Sequence, residues 1–346
     1  MAAISDGTPQ QEASPWQMLE PVIDLITPMA VRTAAALRLA DPMADGPLPV
    51  AELAERTGAD PDALARMLRH LVCHGVFAEP APGTFGLNAP AELLRSDHPS
   101  GMRSWLDVDG FGGRMDLAFT GLAHTVRTGG PAWETVFGAP FWRYLAENPT
   151  MSASFDATMA SGPEYTADAA TSYDWSGAGH VVDVGGGSGA LLAAVLEANP
   201  HLRGTLVDLP DTVRRGTEHL ADRGLDARAD VVGQSFFDPL PTGGDVYVLS
   251  SVLHDWPDTE AAAILRRCAE AAGADGRVVV IEQHDTETRG AAFAEMNLRM
   301  LVLCGGRERG PDDLTALAAG VGLAATGAHS TPMGQIRLEF RAASRA

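Results

Sequence analysis

The apolar positions of this chain follow two regimes. In the first half they recur at helical spacing. From Tyr173 onward short, continuous apolar runs alternate with helical stretches. Residues 1–15 are small and polar and predict an unstructured lead. In residues 16–40, Met18, Leu19, Val22, Ile23, Ile26, Met29 and Ala30 mark one helical face. Pro21 and Pro28 divide it into two short helices or one kinked helix. So much apolar surface needs cover, from the rest of the chain or from a second subunit.

Residues 49–79 carry a denser pattern. A helix over 50–57 stops at Gly58. Asp60 caps the next helix, Pro61 takes its first position, and Leu64, Met67, Leu68 and Leu71 share one face. Gly75 ends that helix, and Phe77 and Phe85 flank a hairpin turn at Pro82-Gly83. This is the layout of a winged helix-turn-helix, which serves DNA binding or dimerisation. Residues 91–161 predict further helices, broken at 110–113, 129–131 and 138–140. Their large side chains include Trp142, Phe155 and Met159, which suit a helical core or the wall of a pocket for a flat apolar ligand.

The second half predicts strands at 180–184, 204–208, 229–232, 245–250 and 277–282, and a terminal pair near 323–326 and 334–340, with helices between most of them. The fold class is α/β: an open, mostly parallel, Rossmann-like sheet with its ligand at the carboxyl ends of the strands. A mostly helical domain with the winged-helix motif precedes it. The two predicted domains are residues 1–165 and 166–346.

Composition narrows the function. The formal net charge is −20, and Arg66, Arg69 and His70 are too few to make a basic face. No nucleic-acid partner and no docking on an anionic membrane are expected. No run is long and apolar enough to span a bilayer. Cys73, Cys268 and Cys304 are too far apart for a disulfide framework or a metal site, and His70 and His74 have no third ligand in view, so no metal is expected. A reducing cytoplasm is the simplest setting. The opening MAAISDGTPQQEASP has neither a positive start nor an apolar core, so no secretory leader is expected.

The candidate chemistry centres on HVVDVGGGSGA, residues 180–190: a strand, a glycine turn and a helix start. Gly185, Gly187 and Gly189 suit a backbone that takes positive φ or approaches a ligand closely. The stretch reads as a nucleotide or anion cradle, or as a tight turn with no ligand. Asp208 closes the next strand, where an acid can accept both hydroxyls of a ribose. NAD, with Gly185, Gly187 and Ala190 as G-x-G-x-x-A, and S-adenosylmethionine would both be served by this pair.

Further motifs follow in order: SFFDPLP at 235–241, VYVLSSVLHDWPD at 246–258, GRVVVIEQH at 276–284 and MLVLCGGRERG at 300–310. With them, nearly the whole chain resembles the plant-type family of S-adenosylmethionine-dependent O-methyltransferases, including bacterial members that modify aromatic natural products. The resemblance implies a class I methyltransferase domain behind a helical, dimerising domain. It implies that Asp183, Gly185, Gly187 and Gly189 hold the methionine part of S-adenosylmethionine and that Asp208, with Leu209, holds the ribose. Ser235 and Phe236 fall beside the adenine, where the family usually has Asp and an apolar residue, so Ser235 is a departure. Ser250 and Trp256 match further cofactor contacts.

His254 matches the family's general base, and Glu282 and Asp313 match the two acids that orient it, with Asp313 shorter than the usual Glu. Asp313 also suits a simple helix cap, and Arg307, Glu308 and Arg309 suit an ion-pair turn. A neutral imidazole can take a phenolic proton as the methyl moves, a reaction that needs no metal. Trp142, Phe155, Met159, Asn297 and Met300 are the candidates for the acceptor wall. The expected activity is methylation of a phenolic hydroxyl on a polycyclic aromatic metabolite by a homodimer. The alternatives are drifted chemistry on the same scaffold (hydroxylation, decarboxylation or cyclisation) and a ligand-sensing regulator that uses the winged helix.

Overall fold

The computed structural model describes residues 14–159, 163–285 and 290–343. The chain forms two compact units that divide after Gly113. The first contains α1 (Pro15–Ile23), α2 (Ile26–Ala36), β1 (Leu48–Pro49), α3 (Val50–Thr57), α4 (Pro61–Cys73), β2 (Ala78–Ala81), β3 (Thr84–Gly86), α5 (Ala89–Glu92) and α6 (Met102–Leu106). Most of the expected lead lies outside the described residues. Ser14 and Pro15 instead open α1, where Ser14 and Gln17 form a capping box.

The break between the first two helices falls at Asp24, not at either proline. Its carboxylate accepts the N–H groups of Ile26 and Thr27, at 2.8 and 3.3 Å. No residue of α1 is buried: Trp16 is 59% exposed and Val22 77%. On α4, Asp60 caps through the Ala63 N–H at 2.8 Å, and Leu64, Leu68 and Leu71 pack with Leu53, Phe77 and Phe85 in a separate core. The three short strands pair antiparallel in the order β1-β3-β2. His70 meets the Thr27 hydroxyl at 2.9 Å, so it ties α4 to α2.

The helix α7 (Phe111–Leu117) carries the chain across the division. The second unit continues with α8 (Leu122–Thr128), α9 (Trp133–Phe137), α10 (Phe141–Glu147), α11 (Pro149–Met159) and α12 (Pro163–Thr171). Strands and helices then alternate: β4 (His180–Val184), α13 (Ala190–Ala198), β5 (Arg203–Asp208), α14 (Pro210–Asp222), β6 (Ala229–Gly233) and β7 (Val246–Ser250). They end with α15 (Asp258–Ala272), β8 (Arg277–Gln283), α16 (Gly290–Cys304), α17 (Pro311–Gly320), β9 (Leu323–Ser330) and β10 (Gln335–Ala342).

The seven strands form one sheet in the order β6-β5-β4-β7-β8-β10-β9. The first five are parallel, and β10 runs antiparallel between β8 and β9. An apolar core covers each face. Such a sheet leaves its carboxyl edge open at the order reversal between β4 and β7.

The division lies well before the expected boundary at residue 165. Residues 114–159 group with the sheet because α16 ties them there. The Ala132 N–H donates to the Val302 carbonyl at 2.9 Å, and Arg299 pairs with Asp116 at 2.9 Å. A change of sequence pattern marks a change of local structure, not the edge of a packed unit.

Candidate active site

The carboxyl end of β4 turns through the glycine loop. Gly185, Gly187 and Gly189 have φ of +72°, +59° and +77°, the left-handed region in which a side chain is strained. Gly186 is required by packing: an added Cβ would lie 2.4 Å from Asp183 Oδ2. Asp183 is 1% exposed, and neither of its oxygens has a hydrogen-bond partner. Burial, then the nearby Asp208, push its pKa up to about 7. Asp208 ends β5. It accepts the Gly187 N–H at 2.9 Å and the Leu209 N–H at 2.7 Å, while the Leu209 side chain is exposed. Ser235 uses its hydroxyl to accept the Phe237 N–H at 3.2 Å, so it braces its own turn. Ser250 ends β7 half-buried, and Ser251 beside it has φ of +53°.

Trp256 gathers the aromatic side chains. Phe236 and Phe237 meet it edge-on, at 5.8 and 4.9 Å between ring centres, and Trp142 from α10 stacks on it at 5.6 Å. Phe155 meets Trp142 edge-on at 6.0 Å. Residues expected on the cofactor side (Phe236, Trp256) and on the acceptor side (Trp142, Phe155) therefore form one cluster. The Trp142 indole N–H is buried and unpartnered. Met159 stands apart, 48% exposed at the end of α11. On α16, Met300 is buried, and the Asn297 side chain is engaged by the Glu308 backbone.

His254 sits in one helical turn (Leu253–Asp255) just beyond β7 and is 15% exposed. Its Nδ1 meets Glu308 Oε1 at 2.8 Å and lies 4.0 Å from Glu282 Oε2, while Nε2 is 3.6 Å from Asp255 Oδ1. Glu282 holds the turn from below: its Oε1 accepts the N–H groups of Val252 and Leu253 at 3.2 and 2.8 Å. The second oxygens of Glu282 and Glu308 are buried without partners. Burial alone would lower the His254 pKa, but the carboxylates of Asp255, Glu282 and Glu308 raise it to about 10. Burial lifts Glu282 to about 7 and Asp255 to about 6 against the opposing pull of His254. The ligand-type atoms of His254, Glu282 and Glu308 lie within 4.8 Å of one another. The 2.8 Å contact is a hydrogen bond, and the cluster reads as an acid–base array.

Asp313 is not part of this array. It is exposed in the first turn of α17, in a small hollow with Asp258 and Arg307. The second acid on the imidazole is Glu308.

The sequence matches the model of the O-methyltransferase domain over residues 119–324 and that of the O-methyltransferase dimerisation domain over residues 22–97. The chain belongs to the O-methyltransferase family. It is 51% identical over 313 residues to the 2,7-dihydroxy-5-methyl-1-naphthoate 7-O-methyltransferase of Streptomyces carzinostaticus, covering 90% of this chain and 93% of that one. It is 42% identical over 338 residues to the aclacinomycin 10-hydroxylase RdmB of Streptomyces purpurascens, covering 94% and 90%. The crystal structure of the O-methyltransferase NcsB1 from neocarzinostatin biosynthesis, in complex with S-adenosylmethionine and 2-hydroxy-5-methyl naphthoic acid, superposes with a TM-score of 0.88 at 49% identity. The match covers 94% of this chain and 98% of that one.

In this O-methyltransferase the GGRERG segment, which suits an ion-pair turn by sequence, brings Glu308 onto His254 because it folds back against the turn that carries His254. The Arg307 N–H donates to the His254 carbonyl at 2.8 Å. The buried Arg309 guanidinium donates to the carbonyls of Leu253 and Trp256, both at 2.7 Å, and pairs with Asp258 at 2.8 Å. Gly306 permits the approach: a Cβ there would lie 2.1 Å from the His254 carbonyl oxygen. A glutamate between two arginines behind a double glycine is the available signal, and the flanking arginines give it equally the look of an ion-pair turn.

Proposed function

We propose that this chain transfers a methyl group from S-adenosylmethionine to a phenolic hydroxyl of an aromatic secondary metabolite, with His254 as general base. The observation that carries the reading is the His254 imidazole, held through Nδ1 by a buried glutamate beside the glycine loop on the same sheet edge. The residues present fit the cofactor. Three glycines hold a left-handed loop, Gly186 has no room for a side chain, and Asp183 keeps an unpartnered carboxylate beneath it. Asp208 stands at the end of β5, where a ribose would be held.

S-adenosylmethionine supplies a methyl group on a positive sulfur that accepts an oxygen nucleophile in line. Glu308 accepts Nδ1–H, so Nε2 is the nitrogen that takes the phenolic proton once the imidazole is in its neutral form. Three carboxylates make that nitrogen basic enough to match a phenol of pKa near 10. The aromatic cluster of Trp142, Phe155 and Trp256 supports an acceptor that is itself flat and apolar. The relatives named for naphthoate and naphthoic acid support an acceptor of that class. The uncovered α1 and the dimerisation-domain match support a homodimer, and three free cysteines support a cytoplasmic setting.

A second reading keeps the cofactor and changes the reaction, and it is favoured by the identity to the aclacinomycin hydroxylase. Incubation with S-adenosylmethionine and 2,7-dihydroxy-5-methyl-1-naphthoate, read by product mass, separates the two. A gain of one CH2 supports transfer, and any other change supports drift. His254→Ala is expected to slow transfer by about 10²–10⁴-fold. A wild-type rate in that variant would end the general-base assignment.

A further inference from the structure

Asn297 lies on α16, one turn before Met300. Its side-chain oxygen accepts the Glu308 backbone N–H at 3.0 Å. Because the partner is a donor, that end of the amide must be oxygen, and the side chain has one orientation.

Residues 305–310 have no regular structure, so their backbone groups depend on outside partners. Arg307 and Arg309, on either side of Glu308, are tied to the turn that carries His254. The backbone of Glu308 itself is tied to α16 by Asn297. The Glu308 carboxylate has little other anchorage: Oε1 is on His254 and Oε2 is unpartnered. The placement of that carboxylate therefore follows the placement of its peptide.

We propose that Asn297 is a positioning residue: it fixes the Glu308 peptide, and through it the tautomer and angle of His254, and it does not belong to the acceptor wall. The proposal rests on His254 acting as the base. Without Asn297 the Glu308 N–H loses its partner in a buried position, and the peptide turns to find another.

The test uses the full chain with saturating S-adenosylmethionine and the naphthoate acceptor above. Asn297→Ala is expected to lower kcat by about tenfold or more, the scale of one buried N–H left unpaired, with acceptor KM held within about twofold. Asn297→Asp keeps an oxygen for the N–H and is expected to recover most of kcat.

A second readout is the far-downfield Nδ1 proton of His254, observed by NMR in the S-adenosylhomocysteine complex and assigned by its loss in His254→Ala. It is expected in the wild type and in Asn297→Asp, and shifted or lost in Asn297→Ala. Asn297→Leu, of similar size, replaces Asn297→Ala if that variant does not fold. A raised acceptor KM with unchanged kcat and an unmoved proton would overturn the proposal and return Asn297 to the acceptor wall. If His254→Ala keeps its rate, the base reading fails instead, and the proton still reports whether Asn297 sets the Glu308–His254 pair.

Discussion

Glu308→Gln tests how the carboxylates around His254 set the basicity of the proposed base. Glutamine keeps the size of the side chain and an oxygen to accept Nδ1–H, so the change removes the charge and little else. With charge centres roughly 4 Å apart and an effective dielectric of about 20, Coulomb's law gives ~4 kcal/mol. At 1.36 kcal/mol per unit this is about 3 pKa units, an upper bound for an imidazole that is partly open to water.

The sign follows from the surroundings. Asp255, Glu282 and Glu308 face the imidazole and hold its pKa at about 10, and the buried Cys304 thiol nearby stays protonated. The proton-accepting form therefore exists above that pH. The wild-type rate should climb about tenfold per pH unit from 7 to 9 and level near 10. In Glu308→Gln the rising limb should move to lower pH by up to ~3 units, and the plateau should fall because a weaker base removes the proton less well. The assay is kcat by product mass at saturating S-adenosylmethionine, from pH 6 to 10.5. The acceptor's own ionisation is common to both enzymes, so the displacement between the profiles belongs to His254. Superimposable midpoints, or a shift to higher pH, would refute this account.

Two further outcomes follow from the packing. Gly306→Ala forces a methyl into the His254 carbonyl and should destabilise the fold by about 1–3 kcal/mol, read by thermal unfolding, with a fall in kcat beyond what unfolding explains. Asp208→Asn should weaken S-adenosylhomocysteine binding by about 10–100-fold in calorimetry, the scale of hydrogen bonds to a charged group, while leaving the His254 pH profile in place. Unchanged affinity would remove Asp208 from the cofactor site.

Local sequence signals carried the architecture far. Short apolar runs between helical stretches predicted the strands, because a strand buried on both faces has to be apolar throughout. Asp60 and Pro61 predicted the start of α4, since a cap acts within one turn. The glycine loop and Asp208 were legible because their demands, positive φ and an acid at a strand end, are made by single residues. β9 was readable only at its start: residues 324–330 are exposed and carry no apolar alternation. The domain division was not legible, because α16 binds the preceding helices through contacts that leave no local pattern.

The partner of His254 was decided in three dimensions. Asp313 and Glu308 are five positions apart, and both suit an acid role by type. The choice depends on a loop that doubles back over the turn behind His254, held by Arg309 and Asn297 and allowed by Gly306. Sequence specifies residue types and short-range geometry. Which carboxylate meets an imidazole, and how far three of them raise its basicity, follows from burial and distance, and both exist only once distant segments have packed.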